Sequence, residues 1–109
     1  MPQSMQPLAL SKLLRGKQPV YLLDVRLPVE HEFVALPNSV LVPVQELALR
    51  WKEVVPTLEQ TLVVYCHHGV RSWHAAMFLE QQGFTNVYSL EGGIDAWSCL
   101  IDPALPRYA

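Results

Sequence analysis

Thr61-Leu62-Val63-Val64-Tyr65-Cys66-His67-His68-Gly69-Val70-Arg71 is the stretch on which the reading of this chain turns. Its first five residues are β-branched, aromatic or leucine, the unbroken apolar run expected of a strand buried on both faces. A short glycine-containing loop follows. From Arg71 to Gln82 the apolar residues Ala75, Ala76, Phe78 and Leu79 predict a helix of about three turns, with Gly83 in the place of a C-cap glycine. The strand therefore ends at a thiol, and the loop carrying that thiol opens a helix.

The same alternation recurs on both sides. Upstream, Leu10, Leu13 and Leu14 give a short helix over Leu8 to Arg15 with Gly16 as its stop, and Pro19 then opens the buried strand Val20-Tyr21-Leu22-Leu23, closed by Asp24-Val25-Arg26. Pro28 suits the first turn of a short helix through Val29-Glu30-His31-Glu32-Phe33, broken by Pro37 and Asn38. Ser39-Val40-Leu41-Val42 reads as a second short strand ended by Pro43, and Leu47, Arg50, Trp51 and Val54 continue at helical spacing until Pro56. Downstream come a strand over Asn86-Val87-Tyr88-Ser89-Leu90, a turn at Glu91-Gly92-Gly93, and a last helical turn or two from Ile94-Asp95-Ala96-Trp97. The ending from Asp102 to Ala109 is punctuated by prolines and predicts a tail extended over the surface. Strands alternating with helices imply an α/β domain with a mostly parallel sheet, where ligands gather at the carboxyl ends of the strands. Cys66 stands at such an end.

With 109 residues, half of them apolar and 17% charged, the chain suits one ordinary globular domain spanning residues 1–109. A net charge of -2 with scattered Lys and Arg offers no basic field, so neither nucleic acid nor anionic lipid is expected as a partner. No apolar run approaches the ~20 residues of a membrane span, and no basic region leads into an apolar stretch at the start, so no membrane association and a cytoplasmic location are expected. Cys66 and Cys99 lack the paired spacing of a zinc site or a Cys-x-x-Cys redox motif, which fits a reducing compartment.

A loop between a buried strand and a helix start turns several backbone N–H groups into one concavity, where the helix dipole adds partial positive charge. A cysteine at its mouth is favoured as thiolate, and Arg71 adds charge from nearby in sequence. Gly69 in mid-loop permits the positive φ that a tight curl needs.

Four blocks in order make the chain resemble the rhodanese family along nearly its whole length. They are Leu23-Asp24-Val25-Arg26 with Pro28-Val29-Glu30-His31-Glu32; Leu36-Pro37-Asn38-Ser39 running to Pro43; Val63 to Ser72; and Val87-Tyr88-Ser89-Leu90-Glu91-Gly92-Gly93-Ile94-Asp95-Ala96-Trp97. The resemblance implies a rhodanese-like fold, a central parallel five-stranded sheet flanked by helices on both faces, with a motif-bearing core over about residues 19–98 and a tail over 99–109. It also implies that Cys66 is the catalytic residue and carries sulfur as a persulfide, with His67, His68, Gly69, Val70, Arg71 and Ser72 forming the substrate-binding loop. The family pattern of Gly-His-Ile before the proline and Gly-Ala after it is replaced here by Val34-Ala35-Leu36 and Asn38-Ser39; Asn is the residue besides Gly that best tolerates the left-handed turn.

The expected chemistry is attack by Cys66 on the outer sulfur of a donor such as thiosulfate, then transfer to a nucleophilic acceptor, cyanide or a thiol, with no metal and no cofactor. A cysteine phosphatase or arsenate reductase would place its Arg after five intervening residues, at position 72, but Ser72 stands there and the Arg comes one residue sooner. A catalytically silent rhodanese-like interaction module is the other alternative, although Cys66, Gly69 and Arg71 are all present. Ile101-Asp102-Pro103 with Pro106-Arg107-Tyr108 resembles the ending of rhodanese domains fused to adenylating enzymes, which raises a persulfide relay to a protein acceptor or sulfur carrier. His31, His67, His68 and His74 lack the spacing of a metal site, and His67 and His68 are expected to flank the mouth. Asp24 and Arg26 are expected to pair with each other's neighbours, Trp97 to fill core or rim, and Trp73 to lie near enough to line the pocket.

Overall fold

The computed structural model describes residues 2–54 and 57–109. In chain order it comprises β1 (Gln3–Met5), α1 (Pro7–Arg15), β2 (Val20–Asp24), α2 (Pro28–Phe33), β3 (Val40–Leu41), a single 3-10 turn (Val44–Glu46), α3 (Leu47–Val54), β4 (Thr61–Tyr65), α4 (Val70–Gln81), β5 (Val87–Leu90) and α5 (Gly93–Leu100). The strands form one parallel sheet in the order β1-β5-β4-β2-β3. This is the five-stranded parallel α/β architecture anticipated from the sequence.

β4 lies between β2 and β5 and is buried throughout, as its unbroken apolar run requires. Successive side chains alternate between the two faces. Leu62, Val64 and Cys66 join Leu47 of α3 and Ala75, Ala76 and Leu79 of α4 on one side, while Val63 and Tyr65 join Leu10 of α1 and Ile94 and Trp97 of α5 on the other. The alternation puts the Cys66 side chain on the α4 face.

One strand is shorter than the sequence predicts, one carries no signal in the sequence, and the tail is fastened down. The strand read over Ser39–Val42 is shorter, Val40–Leu41, because it pairs only with the end of β2. The fifth strand, Gln3–Met5, carries no strand signal of its own and exists by pairing with β5 at the sheet edge. The tail is pinned to the fold where it runs: Leu105 and Tyr108 pack against the core, the Ser98 hydroxyl donates to the Leu105 carbonyl, and Arg107 forks onto Asp95 at 2.9 and 3.0 Å. Asn38 does take the left-handed conformation, at φ 63°. The helix stop expected at Pro56 lies outside the described residues.

Candidate active site

At the carboxyl end of β4 the chain turns through Cys66–Gly69 before α4 begins. Gly69 holds φ +108°, a conformation that side-chain-bearing residues rarely adopt, so glycine is needed here for backbone shape and not for space. The Cys66 Sγ accepts hydrogen bonds from the Gly69 N–H at 3.1 Å and the Ser72 N–H at 3.3 Å, taking the place of a capping oxygen at the start of α4. The Ser72 hydroxyl stands 3.5 Å away and is shared at 2.8 Å with the Ser89 hydroxyl of β5. Two amide donors and the positive end of the α4 dipole thus converge on the sulfur.

What aims the amides inward is α5. The Ile94 and Asp95 N–H groups donate to the Cys66 and His67 carbonyls at 2.9 and 3.1 Å, so the loop's oxygens are held outward. Gly93 lies so close that a Cβ there would come within 2.5 Å of the Cys66 carbonyl oxygen and would strike that of His67 as well. The Glu91-Gly92-Gly93 turn is therefore the backing plate of the loop.

Arg71 also has a carboxylate partner that spacing did not reveal. Its guanidinium grips Glu30 of α2 in a two-point ion pair, at 2.7 and 2.9 Å. Those bonds, with another from the Tyr108 hydroxyl at 2.6 Å, hold the Glu30 carboxyl down to about 2. Asp24 and Arg26 also differ from expectation, pairing directly with each other: Nε to Oδ1 at 2.9 Å and Nη2 to Oδ2 at 2.7 Å, both side chains fully buried. Arg26 donates onward to the Val34 carbonyl and, at 2.9 Å, to the Tyr108 hydroxyl, while His31 Nδ1 meets Asp24 Oδ2 at 2.7 Å. Arg26–Tyr108–Glu30–Arg71 is thus a continuous polar chain reaching the rim of the loop.

His67 and His68 diverge. The His67 ring is buried, stacked on Tyr108 with centroids 3.9 Å apart, and its Nε2 has no hydrogen-bond partner among the described residues. Burial, with the nearby His68, pushes its protonation below the ordinary histidine range. His68 is 63% exposed and 4.0 Å from Asp95. Trp73 lines a pocket of about 360 Å³ beside the loop, together with His68, Gly69, Val70 and His74. Trp97 is buried in the core. Cys99 is exposed on α5 and Cys66 is buried, and neither is in a disulfide. Among the described residues, no group of three His, Cys, Asp or Glu is arranged to hold a metal ion, and no helix is long and apolar enough to cross a membrane.

Sequence reasoning singled out the loop and missed its neighbours. Glu30 and Tyr108 come from segments that the motif blocks and the tail already contained, but nothing in their spacing said they would meet. Ser89, alternating onto the α4 face of β5, could have been found by strand period alone.

A buried parallel strand that delivers a cysteine into a loop of backbone amides at a helix start defines a class of α/β domains. Within that class the chain belongs to the rhodanese-like domain family, whose model matches residues 6–99. It is similar to the thiosulfate sulfurtransferase GlpE of Pseudomonas syringae pv. syringae, 40% identical over 81 residues that make up 74% of each chain. The chloroplastic rhodanese-like/PpiC domain-containing protein 12 of Arabidopsis thaliana is 37% identical over 89 residues, 80% of this chain; the chain spans 30% of that longer relative. The crystal structure of a rhodanese-related protein from Thermoplasma volcanium superposes with a TM-score of 0.78 at 34% identity, covering 95% of both chains.

Proposed function

We propose that this protein is a sulfurtransferase in which Cys66 carries sulfane sulfur as a persulfide from a donor such as thiosulfate to a nucleophilic acceptor, cyanide or a thiol. The observation carrying this reading is the pair of amides at 3.1 and 3.3 Å from Sγ. The thiolate attacks the donor's outer sulfur; a new S–S bond forms while the old one breaks, and its electron pair leaves on sulfite. The terminal sulfur then carries the negative charge, which the loop amides, with His67, His68, Val70, Arg71 and Ser72 around them, are arranged to receive. Acceptor attack on that sulfur restores the thiolate, so the two half-reactions give ping-pong kinetics. The shortness of the loop suits one sulfur atom better than a tetrahedral phosphate.

Incubating the reduced protein with thiosulfate and weighing it intact is the direct test. One sulfur atom is gained on Cys66, lost again to cyanide, and never gained by Cys66→Ser protein. A wild-type mass unchanged by every sulfur donor would leave the silent interaction module standing.

A relay to a protein acceptor is favoured by one further observation. Val29 and Phe33 of α2, 69% and 55% exposed, form an apolar surface with Tyr108 at the edge of the site. Transfer of labelled sulfur from the loaded protein to a thiol-bearing protein, faster than to the same thiol as a free small molecule, is the expected sign of such a relay.

A further inference from the structure

Two buried hydroxyls stand in a row behind the thiol. Ser89 lies on the face of β5 whose other member, Val87, joins the apolar layer under α4, and it is 3% exposed; Ser72, in the first turn of α4, is fully buried. Burying a hydroxyl costs free energy unless it is hydrogen-bonded, and alanine would fill either place without that cost. The two oxygens lie 2.8 Å apart, and that of Ser72 stands 3.5 Å from Cys66 Sγ. Each hydroxyl has one proton to give. A thiolate or a persulfide Sγ has none, so in those states the row is bonded throughout in one sense: Ser89 donates to Ser72, and the Ser72 proton points at sulfur. Without Ser89, the Ser72 hydroxyl is released to turn toward a carbonyl of the preceding turn, the habit of serines in helices.

We propose that Ser89 is a positioning residue for sulfur transfer: by donating to the Ser72 oxygen it fixes the Ser72 hydroxyl as a donor to Cys66 Sγ, stabilising that atom as the leaving group when an acceptor takes the outer sulfur. This rests on the reading of Cys66 as the sulfur carrier. In the loaded state the negative charge lies on the outer sulfur. The acceptor's lone pair attacks that sulfur, the bond to the acceptor forms as the S–S bond breaks, and the electron pair returns to Sγ as thiolate. With cyanide the product is thiocyanate, and no proton moves. The Gly69 and Ser72 amides meet the returning charge, and the Ser72 hydroxyl is a third donor, aimed before the charge arrives. During loading the roles reverse. Sγ is then the nucleophile, and a donor on it holds back the electron pair it must share, as a better leaving thiolate is a poorer attacking one. One hydrogen bond thus speeds discharge and restrains loading.

The test uses the full chain, reduced, with thiosulfate as donor and cyanide as acceptor. Loading is followed as mass gained by the intact protein, and discharge of preloaded protein as thiocyanate released, both on the plateau of each protein's loading-rate pH profile. Ser89→Ala is expected to slow discharge about fivefold without slowing loading, so the loading-to-discharge ratio rises about fivefold, the scale of one net hydrogen bond. Ser72→Ala should give the same rise, and adding Ser89→Ala to it should change nothing further. A ratio within about twofold of wild type in Ser89→Ala protein overturns the proposal, because a core that is merely loosened slows both steps alike. So does a rise that Ser89→Ala still produces when the Ser72 hydroxyl is already gone. Either result leaves Cys66 as carrier. If thiosulfate never loads the wild-type protein, the carrier reading fails and the role of Ser89 falls with it.

Discussion

Glu30 ties three separate parts of the chain together. It joins α2 to the loop through Arg71 and to the tail through Tyr108, and those bonds hold its carboxyl down to about 2. Because the folded value is depressed, the unfolded chain takes up the proton first. The stabilisation is then fully present above the ordinary carboxylate range and drains away as pH falls toward 2. Thermal unfolding of wild type and Glu30→Gln should accordingly differ most near neutral pH and converge in acid. His67 acts in the same direction at higher pH: burial favours its neutral form, so its contribution is lost as pH drops through the histidine range.

Among the elements, α5 has the least obvious task. It is the support that turns the loop's carbonyls outward, and it can do so only because Gly93 lets the two backbones touch. Gly93→Ala should push α5 off the loop, slow sulfur loading of Cys66 by at least about tenfold and lower the unfolding midpoint by several degrees, the cost expected when backbone must shift to admit a methyl group. A Gly69→Ala protein faces a different penalty, roughly 1–3 kcal/mol of local strain at a positive φ, with no neighbour in the way. Intact-mass loading assays beside thermal melts separate the two. Elements such as β4, α4 and α1 were legible in the sequence because an apolar period fixes them independently of context. β1 was not, since three residues give no period to read and only the exposed edge of β5 makes them a strand. The loop was legible for a related reason, being a local motif. Its ionic surroundings were not, because Glu30 meets Arg71 across 41 residues and Tyr108 across 78.

Over the whole molecule, the tail turns an open end of the sheet into a walled site. Arg107 on Asp95, Ser98 on the Leu105 carbonyl, and Tyr108 on His67 fasten it at three points. A protein shortened after Ile101 should lose roughly 1–3 kcal/mol of stability, the apolar burial and hydrogen bonding of Leu105 and Tyr108 together. His67, relieved of the desolvation that pushes its protonation down, should titrate closer to a free histidine, which proton NMR of the imidazole resonances reads directly. A truncated protein whose His67 titrates as before would mean that the tail is not what buries the ring.

The Tyr108 ring lies on His67, so chain that runs on past Tyr108 sets out from the rim of the site and gains at most roughly 3.5 Å of reach per residue. A tethered thiol on such an extension would meet Cys66 at millimolar effective concentration without any affinity of its own. For laboratory work the same geometry argues for placing affinity tags before β1, since one after Ala109 would hang at the mouth of the site.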